Sequence, residues 1–140
     1  MAARSVVLMP ATTLAAARTG IVASGGVYSL PARIHQVSAQ AVFLYGASGT
    51  DAMAWVQTSL DNGSTWFDII NFRFALTAAT LIASVKNFVA ATAITNTPLD
   101  AALADNTILD GIIGDRLRVK WSSTGTYTGS TSLAVTVVVS

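Results

Sequence analysis

The clearest periodicity in the chain lies at its C-terminal end, where Leu133, Val135, Val137 and Val139 alternate with Ser132, Ala134, Thr136 and Val138. A period of two sends successive side chains to opposite faces of a pleated strand. The stretch before it alternates as cleanly, with Leu117, Val119 and Trp121 on one face and Arg116, Arg118 and Lys120 on the other. The segment between them is rich in Ser, Thr and Gly, so the two runs read as a long antiparallel hairpin that closes the domain.

Upstream, residues 34–45 read as a long central strand, entered through Leu30-Pro31 and left through Gly46-Ala47-Ser48-Gly49. Residues 52–60 follow as another, with Met53 and Trp55 on one face and Val56 and Leu60 on the other. The sharpest local signal is Asp61-Asn62-Gly63-Ser64. Asn-Gly between strand-like runs marks a hairpin, because both residues tolerate the positive φ of a tight turn. Residues 66–74 are then the return strand. The stretch 76–94 carries two patterns. Leu81, Val85, Phe88 and Val89 sit at helical spacing, but β-branched residues and missing caps favour a strand. Residues 95–114 read as a long connection holding Pro98, Asp100, Asp105, Asp110, Gly111 and Gly114, with one helical turn over 99–104. A connection of that length is usually functional or packed on a partner.

These elements predict an all-β chain: a single-domain antiparallel β-sandwich, jelly-roll-like or immunoglobulin-like, over residues 21–140. Residues 1–20 are expected to be a first strand or an arm reaching a neighbour. Their Arg4, Val6-Val7-Leu8-Met9 and Ala15-Ala16-Ala17 loosely imitate a secretion signal, which Pro10 and Thr12-Thr13 interrupt.

Composition changes the picture at one point. Only 11% of residues are charged and 52% are hydrophobic, where roughly 25% charged is typical. All seven acids are Asp. So sparse a charge leaves a surface that favours association, which is expected to be covered by partner subunits. The net charge of +1 and the scattered Arg and Lys give no footprint for nucleic acid. No apolar run approaches the ~20 residues of a membrane span, so no membrane partner is expected.

The chemistry available is thin. There is one histidine, His35, and neither Cys nor Glu. A Ser–His–Asp triad could be built only on His35, which the alternation places in a strand, and no Gly-x-Ser-x-Gly elbow is present. Asp100, Asp105, Asp110 and Asp115 recur every five residues, but Ca²⁺ takes six to eight oxygens and Asp is an ordinary turn residue. No catalytic, metal or cofactor site is expected, and the chain is read as non-enzymatic. Trp55, Trp66, Trp121, Tyr45 and Tyr127 could stack on sugars, which keeps a lectin-like or receptor-binding module as the alternative; core or interface roles are commoner for such residues.

Ser59-x-Asp61-x-Gly63-x-Thr65-Trp66 resembles the Asp-box hairpin of sialidase-like propellers, present here once. In such a hairpin Asp61 and the hydroxyl groups bond the turn backbone, Gly63 supplies positive φ and Trp66 packs beneath. Together with Gly114-Asp115-Arg116-Leu117-Arg118-Val119-Lys120 and the 124–131 run Thr-Gly-Thr-Tyr-Thr-Gly-Ser-Thr, it is similar to small β-sandwich virion proteins of tailed bacteriophages. The similarity covers roughly residues 50–75 and 114–140. It implies a capsid decoration protein, a homo-oligomer with a trimer expected, bound to the major capsid protein in the virion after assembly in the host bacterial cytoplasm. Tail, neck and baseplate roles are the nearest rivals. Contacts are expected through the N-terminal arm and the 95–114 connection, with Val6, Leu8, Arg73, Leu99, Ile108, Ile112 and Tyr127 as candidate interface residues.

Overall fold

The computed structural model describes residues 3–87 and 96–140, and these are all strand, turn and loop. The strands are β1 (Arg4–Thr13), β2 (Arg18–Val22), β3 (Tyr28–Ser29), β4 (Gln36–Leu44), β5 (Ala47–Ser48), β6 (Asp51–Ser59), β7 (Phe67–Phe74), β8 (Ala79–Lys86), β9 (Arg116–Thr124), β10 (Tyr127–Thr128) and β11 (Ser132–Val139).

The pairing of the long strands is nested. β1 pairs with β11, β2 with β9, β4 with β8 and β6 with β7, all antiparallel. The chain is therefore one long ribbon doubled back at the Asn62-Gly63 turn. The ribbon rolls up when β11 also pairs with β4, and β9 with β6. The resulting sheets run β1-β11-β4-β8 and β2-β9-β6-β7, the strand order of a jelly roll. We call them the first and second sheets. Of the two sandwich types the sequence left open, the topology is the jelly roll.

Alternation decides what fills the space between the sheets. Val37, Ala39, Ala41 and Phe43 of β4 face Ala52, Ala54 and Val56 of β6, all buried. Phe43 stacks on Phe74 with ring centroids 5.1 Å apart. Each such aromatic side chain taken from water contributes about 1.5–3 kcal/mol. β7 carries a bulge, because Val56 pairs with Ile70 while Gln57 pairs with Asp68. The extra residue shifts the alternation by one, turning Phe67 inward and Asp68 outward.

Several expectations need correction. β9 and β11 do not pair with each other. They lie in different sheets, and the segment between them, containing β10 against β5, crosses from one to the other. Alternation fixes which face a strand buries, not its neighbour. Of the two readings of residues 1–20, a first strand or an arm, β1 is a first strand, at the edge of the first sheet, and β2 runs across residue 20. His35 precedes β4 instead of lying within it. The 76–94 stretch, read as strand against its helical spacing, does contain a strand, β8; Phe88 and Val89 lie outside the described residues. The helical turn over 99–104 does not form. Ala101 takes φ 53° and the backbone amides there serve another purpose.

Candidate functional site

Three polar features stand out. The first is the hairpin at the tip of the ribbon. Asn62 and Gly63 both have positive φ, 59° and 88°, and Ser64 N–H donates to the Asp61 carbonyl at 3.3 Å. The Ser59 hydroxyl donates to Asp61 Oδ1 at 2.9 Å and accepts the Gly63 N–H at 2.8 Å. Asp61 Oδ1 accepts the Thr65 N–H at 2.8 Å, and Oδ2 its hydroxyl at 2.7 Å. Trp66 Nε1 closes the loop onto the Gly63 carbonyl at 3.0 Å. The bonds from Thr65, its side chain foremost, hold the Asp61 carboxyl below its ordinary value. All five predicted hairpin residues meet in one turn. Its side-chain acceptors are occupied by its own backbone amides and hydroxyl groups, so its bonds serve the turn itself.

The second feature is a clasp on the outer face of the second sheet, built around the buried Gln57 and Asp68. Asp68 is wholly buried. It accepts N–H groups from Ala101 at 2.9 Å on Oδ1, and from Ala102 and Leu103 at 2.8 and 2.9 Å on Oδ2. Gln57, opposite it on β6, donates Nε2 to Asp68 at 2.8 Å and to Asp100 at 2.7 Å, while its Oε1 accepts Arg118 Nε at 2.8 Å. Lys120 Nζ reaches Asp100 Oδ1 at 2.7 Å. That bond is the main reason the Asp100 carboxyl lies below its ordinary value. The Arg118 guanidinium sits 4.3 Å over the centroid of Trp66. Burial pulls Arg118 below its usual value, with Asp100 opposing. Two carboxylates and two cations balance, and the clasp holds the 96–114 connection down over the sheet. Further along, Asn71 N–H donates to the Thr107 carbonyl at 3.0 Å and Leu109 N–H to the Ile69 carbonyl at 2.8 Å. The connection thus runs beside β7 as an edge cover.

The third feature is the outer face of the first sheet. Its outward positions are Ser5 and Val7 on β1, Ser132, Ala134, Thr136 and Val138 on β11, Gln36, Ser38, Gln40, Val42 and Leu44 on β4, and Thr80, Ile82, Ser84 and Lys86 on β8. Lys86, at one corner, is the single charge among them. Arg4 turns away to meet the Tyr28 hydroxyl at 3.3 Å. Gln36 Nε2 donates to Ser38 and Ser84 at 3.1 and 3.0 Å, so part of the polar surface satisfies itself. A shallow trough of about 570 Å³ crosses the face, lined by Ser38, Gln40, Ser84, Thr136, Val138 and Ile82 among others.

The structure scatters the candidate interface residues. Leu8 and Tyr127 are 1% and 3% exposed and belong to the core, and Val6 packs against it. Ile112 also packs against the core. Arg73 is exposed but ion-paired, at 3.1 Å, to both Asp51 and Asp105. Leu99 and Ile108 lie partly exposed along the edge cover. Trp121 is buried, Trp55 sits beneath the connection with Nε1 3.4 Å from the Leu103 carbonyl, and Trp66 has Arg118 on its ring. Sequence reasoning missed the Gln57–Asp68 pair and the neutral face. Two polar residues inside strand-like runs signalled the first, and uncharged outward positions on three strands the second. His35 is exposed, and the described residues hold no group of three or more His, Cys, Asp or Glu placed to bind a metal. Comparison with protein-family models, curated proteins and solved structures finds no match to this chain.

Proposed function

We propose that the chain is a non-enzymatic structural subunit of a tailed-bacteriophage virion, a capsid decoration protein that stabilises the head through subunit contacts. The observation that carries this reading is the neutral outer face of the first sheet. An exposed antiparallel sheet face is ordinarily polar and charged. This one combines Val7, Leu44, Ile82 and Val138, all exposed, with Ser, Thr and Gln, and has a lone Lys at its corner. Interface cores are depleted in charge in this way. Burying such a face removes apolar area from water without stripping solvent from ions, so assembly gains the hydrophobic term and loses little. A subunit that binds only the assembled lattice stabilises it by mass action.

The resemblance of the 59–66 hairpin and the 114–131 segment to phage virion proteins supplies the setting. Jelly rolls serve as capsid and lectin domains alike, so the fold by itself is analogy. The lectin alternative has less to stand on, because each of the three Trp is covered by protein, at least on one ring face. The test is sedimentation of the purified chain with expanded phage heads. Co-sedimentation at fixed stoichiometry is the expected result. Rings or tubes formed without heads would move the protein to the tail, and saturable glycan binding would move it to the lectin class.

A further inference from the structure

Across the neutral face the side chains stand in rows set by the strand register. Ile82, Gln40, Thr136 and Val7 form one row; Ser84, Ser38, Val138 and Ser5 form the next. Ile82 is 77% exposed, the most exposed large apolar side chain among the described residues, and it forms part of the wall of the trough. The face therefore carries a knob and a hollow side by side.

From this pairing of knob and hollow we infer that the face binds a second copy of the same chain, packed face to face about a two-fold axis, with Ile82 of each copy seated in the trough of the other. The inference rests on the reading of the chain as an assembly subunit and names the occupant of the face that carries it. Two-fold contacts require a self-complementary patch, and a knob beside a hollow is the simplest form of one. Charge points the same way. A face without acids, and with one Lys at its corner, offers no counter-charge to a strongly charged partner, whereas two copies bring neutral centre against neutral centre. The area is adequate. Four strands about 4.8 Å apart and about eight residues long at ~3.3 Å each give a projected patch of about 500 Å². Side-chain relief raises that toward the ~800 Å² per partner of a standard interface. Gln36, Ser38 and Ser84 already bond one another, so their burial strands few polar groups.

Sedimentation equilibrium of the full chain over a concentration series tests this without any capsid. The parent is expected to dimerise. The variant I82E should raise the dimer dissociation constant about a hundredfold or more, because a two-fold contact sets each new carboxylate in the other copy's hollow, which holds no cation to pair with it. Q40K, at the centre of the face, should act in the same direction. L60E, at another well-exposed Leu, on the hairpin, should dimerise as the parent does. Circular dichroism of each variant confirms that the fold is kept. A parent that is monomeric throughout, a trimer, an I82E chain that dimerises normally, or an equal loss in L60E would each overturn the inference. Head binding by a monomeric parent would leave the decoration reading standing while this one fell.

Discussion

At the scale of single residues, Asp68 does the most for the fold. It is a wholly buried carboxylate holding three loop amides and the Gln57 amide. Asp68→Ala leaves the three loop amides without their acceptor, each worth about 1–3 kcal/mol when stranded, while Gln57 keeps its bond to Asp100. Part of the loop can swing into water, so the expected loss is about 3–5 kcal/mol, read from urea unfolding. Asp105→Ala, which removes an exposed partner of Arg73, should leave the midpoint unchanged. Titration adds a second prediction. Asp61 and Asp100 lie below their ordinary value of 3.8 in the folded chain, held there chiefly by Thr65 and Lys120 respectively. The unfolded chain takes up protons first as pH falls, so their stabilisation is complete above 3.8 and is lost as pH drops through the folded values. Burial raises the Tyr127 phenol above 10.0, so its contribution is complete below that pH and is lost as pH rises through the folded value. Thermal midpoints against pH should fall at both ends, and Asp61→Asn should shallow the acid limb alone.

At the scale of elements, the 96–114 connection is the feature that keeps the sandwich closed on itself. Without it β7 would present an open edge, which is a template for association with other chains. Asn71 pins it through Oδ1, which accepts the Asn106 N–H at 2.8 Å. Asn71→Ala should speed proteolysis within 98–107 and hydrogen exchange at the Asp68 and Asn71 amides, which donate to the Leu99 and Thr107 carbonyls. Slow exchange of β6 amides should persist. Little of this was legible in the sequence. Strand positions and buried faces were, because period two is a local property, and the Asn62-Gly63 turn was, because positive φ selects residue types. Which strand pairs with which was not: β9 and β11 alternate like a hairpin and yet sit in different sheets. Asp68 shows the reason most plainly. Strict alternation would place it inward with Ile70, Phe72 and Phe74, and only the bulge, which depends on β6 pairing, turns it out. The failed helical turn over 99–104 has the same cause, since the amides of Ala101, Ala102 and Leu103 converge on a carboxylate more than thirty positions earlier.

At the scale of the whole molecule, the nested pairing orders the entropy of folding. β6 and β7 close a short loop, β4 and β8 a longer one, β2 and β9 a longer one still, and Arg4 pairs with Val139 across nearly the whole chain. Loop-closure entropy grows with length, so each outer pair is entropically easier to form once the inner one is in place. Folding is then expected to start at the 59–66 hairpin and zip outward. A topology with so many distant pairings should fold in milliseconds to seconds. Gly63→Ala tests the order. Its φ of 88° disfavours any Cβ, while the added atom would meet Trp66 and Arg116 only at ordinary contact distance, 3.4 and 3.5 Å. The cost is therefore conformational, about 1–2 kcal/mol, enough for a kinetic ratio to be meaningful. If the hairpin nucleates the roll, that loss appears as slower folding with nearly unchanged unfolding. Val6→Ala, at the outermost pair of the ribbon, should instead speed unfolding and leave the folding rate almost untouched. A chevron in which both variants act on the same limb would show that the ribbon does not close from its tip.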